Sequence, residues 1–412
     1  MNRKPEVSVL IPAYNVAPYI RECLDSVLAQ TLQDFEIICV DDASADRTWE
    51  ILQEYAESDE RIRLFRHEQN MGQSCGRNHA LDHASGEYIY MLDADDKILP
   101  DMLEDLVKEC RENDLDVIAF ETYQFTDGGE ALTNSGIKTI EYGETGVMDG
   151  RQALIYCMER ESFSLSVPTF LMKHAYLKET GLRFVEGILH EDVGYILELI
   201  VRAGRIRFLH RVWFLRRIRA GSTMTSGFSA RNIEGYLKSL YRSFELEPAL
   251  KKDLERDPSF ALAFRRWQRD IFGRVLQIYR EASEVIAGQT GGSVDEEIRR
   301  SFELMKMAEQ GSVPWDAALD ERLSEGVYLC GTGQYTSRMI GVIGNRDLVI
   351  RGIITLKKDR KAFRGFPLLG EEDLGGLDRT IPVILSVSHY TRGEYEDLLT
   401  EYGFTDQILP SF

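Results

Sequence analysis

The 412-residue sequence has no apolar run that approaches the roughly 20 residues of a membrane-spanning helix. Its first residues lead directly into a strand-like run, without the charged and then apolar segments of a secretory leader, so we expect no signal peptide. Its six cysteines form no CxxC pair, which argues against zinc sites and disulfides and predicts buried, reduced thiols. There is also no internal repeat and no low-complexity tract.

Positive charge is scarce, and the net charge is −19 at pH 7. This balance argues against a nucleic-acid partner, which requires a basic face. It does not exclude a nucleotide, because one metal ion and one or two arginines can neutralise a few phosphates. Apolar residues make up 43% of the chain, which is enough for ordinary globular cores. At roughly 150 residues per domain, the length predicts two or three domains.

Three segments with different patterns follow one another along the chain. Residues 1–227 begin with alternating strand and helix patterns, which predict an α/β domain with a mostly parallel sheet. Residues 228–325 have helical spacing, and residues 326–412 predict a small separate α/β unit. The predicted strands at the start of the first segment are Val7–Asn15, Phe35–Asp42, Arg61–His67, Glu87–Leu92 and Asp116–Phe125.

Three acids follow the fourth of these strands. Asp93 and Asp95 are two residues apart, so an extended backbone would place both carboxylates on one face. Such a pair can hold Mg²⁺ or Mn²⁺, which takes phosphate oxygens as further ligands. A DxD tripeptide by itself is nevertheless more typical of a solvated turn. Asp96 would face the other side of the strand, and we expect it to cap the next helix.

The first two predicted strands also end in residues that suit a ligand site. The first ends at Pro12–Asn15 and the second at Asp41 and Asp42. Ligands gather at the carboxyl ends of parallel strands, where either acid could accept a hydrogen bond from a base N–H or a ribose hydroxyl. Ser44 and Asp46 follow closely, and for these two residues we favour helix capping.

The segments VSVLIPAYN, VDDASAD, NMGQSCGRNHAL and YMLDADD, in this order and spacing, resemble glycosyltransferase family 2. The resemblance is strong from residue 6 to about residue 110 and extends more weakly to about residue 226. It implies a GT-A fold and an inverting enzyme that uses a nucleotide sugar, with uridine diphosphate as the default donor nucleotide. It also implies Mn²⁺ or Mg²⁺ as the cofactor.

The resemblance assigns roles to individual residues. It implies a nucleoside pocket lined by Pro12, Ala13, Tyr14, Asn15, Asp41 and Asp42. Arg77 would contact the base or the diphosphate, although Gly76 precedes it where the family usually has alanine. Asp93 and Asp95 would hold the metal and the ribose. Without the family context, a surface salt bridge would be the expected role of Arg77.

Another acid pair precedes the helical pattern in GILHEDVGYILELI. By resemblance, Asp192 is the general base that removes the proton of the acceptor hydroxyl, and Glu191 supports it or contacts the acceptor. Attack opposite the leaving diphosphate would invert the sugar, and the metal would stabilise the charge on that diphosphate. Acids in a first helical turn are also expected from the helix dipole alone.

The segment RRIRAGSTMTSG, from Arg216 to Gly227, resembles the flexible loop that closes the donor site in this family. Arg219, and with it Arg217, would reach the diphosphate, and Ser222 and Thr223 would donate hydroxyl hydrogen bonds. The alternative is a basic strand end at the surface, and the sequence leaves both interpretations open.

The two remaining segments give weaker signals. The helix Phe264–Arg280 mixes basic and aromatic residues, which would suit a peripheral contact with anionic lipid. Its apolar residues fall at helical spacing, however, so we favour core packing. The tail resembles small Rossmann-like modules, but the turn at Gly331 and Gly333 lacks a third glycine and Thr355-Leu356-Lys357 stands where an acid is expected. We therefore do not expect dinucleotide binding there.

The sequence can be compared with three functions. The first is an inverting, metal-dependent glycosyltransferase that acts on a glycan or lipid-linked acceptor in surface polysaccharide synthesis, with a cytoplasmic location. A nucleotidyltransferase would normally have a glycine-rich loop where this chain has PAYNVAPYI. A non-catalytic sugar-nucleotide-binding or scaffolding protein is disfavoured because Asp93, Asp95 and Asp192 are all acids rather than amides. The oligomeric state is open.

Overall fold

The computed structural model describes residues 4–126, 142–219 and 228–282, followed by shorter stretches. These stretches are 286, 294, 297–298, 301, 326–331, 349–356, 362–363, 366–379, 381–385, 395, 397–404 and 408–410. The chain divides into two compact units. One combines Met1–Met158 with Ser162–Ala308, and the other combines Glu159–Glu161 with Glu309–Phe412. The boundaries at residues 227 and 325 stay predictions.

An eight-stranded mixed sheet forms the centre of the first unit in the described residues. Its strands are β1 (Val7–Ala13), β2 (Phe35–Asp41), β3 (Ile62–Arg66), β4 (Tyr88–Met91), β5 (Lys97–Ile98), β6 (Val117–Phe125), β7 (Phe170–Lys173) and β8 (Ile206–Arg217). The order is β3-β2-β1-β4-β7-β6-β8-β5. Strands β1 to β4 are parallel, β7 is antiparallel to both of its neighbours, β6 and β8 are parallel, and β5 is antiparallel to β8.

The first two strands are buried along their whole length, which explains their continuous apolar sequences. Two of the polar residues in these strands, Ser8 and Glu36, are matched to each other. Ser8 Oγ donates to Glu36 Oε1 at 2.7 Å, and Arg63 pairs with the second oxygen of the same carboxylate at 2.9 Å. The register pairs Ala13 with Asp41, so both strands end at the same edge of the sheet.

Helices cover the sheet on both faces. They are α1 (Ile20–Leu28), α2 (Thr48–Ser58), α3 (Gln73–His83), α4 (Met102–Glu112), α5 (Gly150–Arg160), α6 (His174–Thr180), α7 (Glu191–Val201), α8 (Ala230–Arg256) and α9 (Pro258–Glu281). Apolar residues at helical spacing, Ile20, Cys23, Leu24, Val27 and Leu28, predict α1 from the sequence. The helix is confirmed, with the first four buried and Leu28 partly buried. The sequence predicts Pro100 in the first turn of α4, a position that accepts proline. This prediction is wrong, because Pro100 precedes the N-cap residue Asp101.

Helix α7 lies in the core, and every residue from Val193 to Val201 is buried. Helices α8 and α9 contribute to the same core, and Phe264 and Trp267 of α9 lie fully inside it, as the helical spacing predicts. Among the described residues, no helix combines the length and the apolar character needed to cross a membrane. All six cysteines are described, and none forms a disulfide.

The second unit contains a smaller sheet. Its strands are β9 (Val327–Cys330), β10 (Ile350–Ile354), β11 (Ala362–Phe363), β12 (Phe366–Leu369), β13 (Val383–Leu385) and β14 (Ile408–Pro410), and a short helix α10 spans Glu371–Leu374. The strands that pair in parallel lie in the order β12-β10-β9-β13-β14, which is the order of doubly wound sheets. Gly331 follows β9 with φ 87°, but Gly333 lies outside the described residues. The Rossmann-like interpretation stays a prediction.

Candidate active site

The acids after β4 lie in a turn rather than in the strand. Strand β4 ends at Met91, and the amide of Asp96 donates to the carbonyl of Asp93 at 3.0 Å, which closes the turn. The expectation that Asp93 and Asp95 share one face of an extended strand is therefore wrong. The chain leaves the sheet immediately after its last apolar residues, and a turn satisfies the backbone groups that the strand no longer pairs.

Arginines hold both carboxylates of this turn. Asp93 Oδ1 accepts hydrogen bonds from Arg77 Nη2 and from Gln73 Nε2, each at 2.7 Å. Asp95 Oδ2 accepts from Arg219 Nε at 2.7 Å. The second oxygens, Asp93 Oδ2 and Asp95 Oδ1, accept no hydrogen bond from the described residues. Each carboxylate therefore keeps one oxygen for a further ligand.

Asp96 does not cap the next helix, contrary to expectation. It is buried and accepts a hydrogen bond from the backbone N–H of Arg217 at 2.6 Å. Burial, and then the charges of Asp93 and Asp95, raise the pKa of Asp96 well above its usual range. The long-range pairing of β8 with this turn, which no local pattern indicates, decides the environment of Asp96.

Arg217 also stabilises the turn through its side chain. Its Nε donates to the carbonyl of Asp95 at 2.9 Å, and Glu22 pairs with the same guanidinium. The guanidinium lies 5.0 Å from the ring of Tyr19 and 4.6 Å from that of Phe125. Ser222 and Thr223, predicted to contact the diphosphate, lie outside the described residues.

Arg77 joins two acids that are far apart in the sequence. Its side chain is 4% exposed, Nη2 binds Asp93, and Nη1 binds Glu191 Oε1 at 2.8 Å. The guanidinium lies 5.1 Å from the ring of Phe184, and Nε is buried without a hydrogen-bond partner among the described residues. The preceding Gly76 lies against Pro12, where an added Cβ would come within 3.1 Å. The sequence alone predicts only a surface salt bridge for Arg77, and the structure buries it.

Glu191 and Asp192 form the first turn of α7, as the sequence pattern predicts. Burial, and then the charge of Glu191, raise the pKa of Asp192 to about 7, and Arg77 acts in the opposite direction. Arg77 binds both Asp93 and Glu191, and Asp192 is the residue after Glu191. Asp192 therefore lies near the ion pair of Arg77 and Asp93, whose charges both affect its pKa. A carboxylate with a pKa near the working pH suits a general base.

The predicted nucleoside residues lie at the ends of β1 and β2. Pro12 and Ala13 are buried in the sheet, whereas Tyr14 is exposed. Asn15 has φ 51° and is held on both sides, because its N–H donates to Ser44 Oγ at 3.0 Å and its Oδ1 accepts from the amide of Ala45 at 2.8 Å. The loop after β1 is therefore tied to the loop after β2.

Asp41 has one satisfied and one unsatisfied carboxylate oxygen. Its Oδ2 pairs with Arg66 Nε at 3.0 Å and accepts from the amide of Ser44 at 3.2 Å. Its Oδ1 is buried and has no hydrogen-bond partner in the part of the chain that the structure describes. A buried acceptor that lacks a donor is costly, and a ligand N–H can satisfy it.

Both carboxylate oxygens of Asp42 accept hydrogen bonds from neighbouring groups of the described chain. Oδ1 accepts from His67 Nδ1 at 2.7 Å and from the amide of Met71 at 2.8 Å, and Oδ2 accepts from the amide of Gly72 at 2.7 Å. This carboxylate therefore shapes the loop that leads into α3. Its substrate-binding role stays a prediction.

The residue at the N-cap of α2 is Arg47, so neither Ser44 nor Asp46 is the capping residue that the sequence predicts, although Asp46 does accept from an amide of the first turn. Asp46 Oδ1 accepts from the amide of Thr48, the first residue of α2, at 3.0 Å, and its Oδ2 accepts from the amide of Ala17. Ser44 instead binds the amide of Asn15 through its hydroxyl. Side chains of both residues thus connect the loops that follow β1 and β2.

Sequence reasoning missed Gln73, Arg66 and the structural role of Arg217. Gln73 lies four residues before Arg77, so the two side chains share one face of α3, and this spacing was a usable signal. Arg66 ends β3, and its guanidinium lies 5.0 Å from the ring of Trp49. No local pattern connects either arginine with the acid that it binds.

The carboxylate oxygens of the turn after β4 are of the kind that binds a divalent cation. Among the described residues, no group of three or more His, Cys, Asp or Glu side chains is placed to hold a metal. Asp93 and Asp95 nevertheless offer one free, hard oxygen ligand each. A cation bound there would complete its shell with water and phosphate oxygens, as Mg²⁺ commonly does.

Comparisons with known proteins identify the family and the fold of this chain. The model of "Glycosyl transferase family 2" matches residues 8–171. GlyG, a glycosyltransferase of Streptococcus pneumoniae serotype 4, is 32% identical over 227 residues, which are 54% of this chain and 74% of GlyG. Bacillus subtilis TuaG, whose name proposes a role in teichuronic acid biosynthesis, is 48% identical over 103 residues, 25% of this chain and 41% of TuaG.

The crystal structure of residues 1–349 of Staphylococcus aureus TarS with UDP-GlcNAc has the same fold, with a TM-score of 0.52 at 22% identity. The match covers 74% of this chain and 90% of that one. The fold is therefore that of a GT-A glycosyltransferase. The chain belongs to glycosyl transferase family 2, as its motifs predict. It spans 60%, 35% and 31% of the length of three other curated relatives that it matches.

Proposed function

We propose that this glycosyltransferase moves a sugar, with inversion, from a uridine diphosphate sugar to a hydroxyl of a glycan or lipid-linked acceptor in surface polysaccharide synthesis. One observation carries the proposal: Arg77 binds both Asp93 and Glu191, so the acidic turn after β4 and the start of α7 meet at one guanidinium. The UDP-GlcNAc complex of TarS and the name of TuaG support the donor class and the pathway.

The donor nucleotide would bind at the ends of β1 and β2. Asp41 Oδ1 needs a donor, and the N3–H of uracil can supply one. The exposed ring of Tyr14 offers an aromatic face for stacking with the base. A cytosine presents an acceptor at the same ring position, so this arrangement favours uracil. The other residues of the predicted pocket would shape its walls.

Asp93 and Asp95 would hold the divalent cation, Mn²⁺ or Mg²⁺, through their free oxygens. When bound, the cation would stabilise negative charge on the leaving diphosphate. Arg219, paired with Asp95, lies close enough to this turn to add a second positive charge near the diphosphate. Asp192 would take the proton of the acceptor hydroxyl. The hydroxyl oxygen then bonds to the anomeric carbon as the bond from that carbon to the diphosphate oxygen breaks on the opposite side.

The proposed location is cytoplasmic. The six thiols, none of which is in a disulfide, suit a reducing compartment. A lipid-linked acceptor would additionally require contact with a membrane surface. Helix α9 does not offer its apolar stripe for such a contact, because Phe264, Trp267 and Val275 are buried in the core.

A thermal-stability assay with nucleoside diphosphates tests the proposal without knowledge of the acceptor. UDP at 100 times its Kd should stabilise the wild-type protein by about 2.7 kcal/mol. We expect this shift to require Mn²⁺ and to be lost in Asp95→Asn, because the amide is a much weaker metal ligand. Asp101→Asn is the matched control, since its side chain is half exposed and, within the described residues, pairs only with surface Arg211.

Two results would decide against the proposal. If UDP stabilised the protein equally without Mn²⁺ and in the Asp95→Asn variant, Asp95 would not be a metal ligand. The absence of a shift with any nucleoside diphosphate, with or without Mn²⁺, would favour a non-catalytic scaffolding protein.

A further inference from the structure

His190, directly before α7, has a backbone conformation that few residues adopt. Its φ of 58° and ψ of 36° place it in the left-handed region. This region is sparsely populated by residues other than glycine, and it persists only where the surroundings enforce it. Asp192, the proposed base, is two residues further on. The backbone at His190 therefore sets the direction in which the first turn of α7 begins.

One face of α8 enforces this conformation. Asn232, Tyr236 and Ser239 lie three or four residues apart, so they share a face of the helix. Asn232 Nδ2 lies 3.1 Å from His190 Nε2, and the ring of Tyr236 stacks on the imidazole at 4.3 Å with an angle of 24°. The hydroxyl of Ser239 donates to the carbonyl of His190 at 3.5 Å.

The same face of α8 lies very close to the backbone of the residues that precede α7. Gly235 lies between Asn232 and Tyr236, and an added Cβ there would come within 1.8 Å of the carbonyl oxygen of Leu189. On the side of α7, an added Cβ at Gly194 would lie 3.2 Å from the Cα of Ser239. Small residues on both helices thus allow α8 to hold the segment Leu189–His190 by direct backbone contact.

The hydrogen bonds of Asn232 determine the protonation of His190. Asn232 Oδ1 accepts from the amide of Ser229 at 2.8 Å and from its hydroxyl at 2.9 Å, so the amide nitrogen faces His190. An amide nitrogen can only donate, and His190 Nε2 must therefore accept. The imidazole is consequently neutral, with its proton on Nδ1. Burial, and then Arg274 of α9, lower the pKa of His190 to about 4, in agreement with this assignment.

We infer that His190 is a positioning residue for the base: held by α8 as its neutral Nδ1–H tautomer, it orients the first turn of α7 so that Asp192 meets the acceptor hydroxyl. The inference rests on the proposed function, because it assumes that Asp192 acts as the base. It adds that α8, a helix outside the predicted catalytic segment, determines the geometry and the charge around that base.

The neutral state of His190 matters because other charges already surround Asp192. These are Glu191 on α7, Arg77 on α3, Asp93 in the turn after β4 and Arg216 at the end of β8. A positive charge on His190 would join Arg77 and Arg216 and would favour ionised Asp192. The substitution Asn232→Asp favours such a charge, since the aspartate oxygen accepts from a proton on Nε2 and its negative charge stabilises a second proton on Nδ1.

The test compares His190→Asn, Asn232→Asp and the control His210→Asn in the full chain with Mn²⁺. His210 is largely exposed and pairs with Glu121. Asparagine tolerates the left-handed conformation, so His190→Asn removes the ring and keeps the backbone preference. The readouts are UDP release from UDP-GlcNAc, UDP-glucose and UDP-galactose between pH 5 and 9, UDP affinity by calorimetry, and ¹⁵N NMR of the histidine tautomers. The assay needs no identified acceptor, because we expect water to take the place of the acceptor hydroxyl.

For wild type, we expect the NMR signals of His190 to show the Nδ1–H tautomer. His190→Asn should lower kcat by about 10- to 100-fold, with UDP affinity within about twofold of wild type, because misplaced reacting groups are costly. Asn232→Asp should give His190 a proton on both ring nitrogens, and this positive charge should move the acid limb of the pH profile to lower pH. His210→Asn should match wild type in every readout.

Each contrary result has its own meaning. Wild-type turnover together with an unchanged kcat in His190→Asn would overturn the inference and leave the proposed function standing. An Nε2–H tautomer in wild type would also overturn it, even if His190→Asn fails to fold. An unmoved pH profile would do the same in an Asn232→Asp variant whose NMR signals show the doubly protonated imidazole. Wild-type protein with neither turnover nor UDP binding would refute the proposed function and, with it, the catalytic role of Asp192 that His190 is inferred to support.

Discussion

Replacing Asp192 with asparagine is expected to lower kcat by about 10²- to 10⁴-fold, the usual contribution of a general base. The amide keeps the size of the side chain but cannot take the proton of the acceptor hydroxyl. UDP affinity should stay at the wild-type value, because the contacts expected for the nucleotide come from the turn at Asp93 and from the ends of β1 and β2. None of these contacts involves Asp192.

The pH dependence of the wild-type enzyme should identify the same residue. Burial and Glu191 raise the pKa of Asp192 to about 7, and a base acts only when it is ionised. The rate should therefore rise with pH below about 7 and level off above it. UDP release from UDP-sugars, measured between pH 5 and 9, gives both the acid limb of the pH–rate profile and the decrease in kcat of Asp192→Asn.

The exposed acid Asp101 supplies the control, because Asp101→Asn makes the same chemical change at a surface ion pair. This variant should retain the rate and the pH profile of wild type. If Asp192→Asn also retained the wild-type kcat, or if the acid limb lay near the ordinary aspartate pKa of about 4, another group would have to be the base.

Replacing Arg77 with methionine is expected to lower the free energy of unfolding by about 3–5 kcal/mol, the usual cost of removing one partner of a buried ion pair. Arg77 is buried, and the substitution would leave Asp93 and Glu191 close together without the charge that compensates them. Activity should be lost as well, because the acidic turn and the start of α7 would no longer be held together. Urea unfolding followed by circular dichroism measures the stability change.

The matched control is Arg111→Met. Arg111 also binds two carboxylates, Glu6 and Glu87, but at the surface, where such pairs contribute about 0–1 kcal/mol. The double variant Arg77→Met with Glu191→Gln should recover part of the lost stability, because it removes one unpaired charge. Equal losses in the free energy of unfolding for Arg77→Met and Arg111→Met would show that the buried ion pairs contribute no more to stability than the surface pairs.

Much of the first unit could be predicted from local pattern. The apolar runs of β1 and β2 and the helical spacing of α1 depend only on neighbouring residues, and these predictions were confirmed. Strand β7 was not predicted, although it lies between β4 and β6. It has four residues and enters the sheet from a distant part of the chain, so its place depends on pairing rather than on its own sequence.

The candidate site shows the same division. The sequence by itself determined the family, the acids at the strand ends and the acid pair that begins α7, because motifs and strand ends are local features. Only the tertiary structure decided that Asp93 lies in a turn, that Arg77 joins it to Glu191, and that α8 holds His190. These contacts link residues far apart in sequence, and they exist only because the helices pack against one sheet and exclude water from the charges between them.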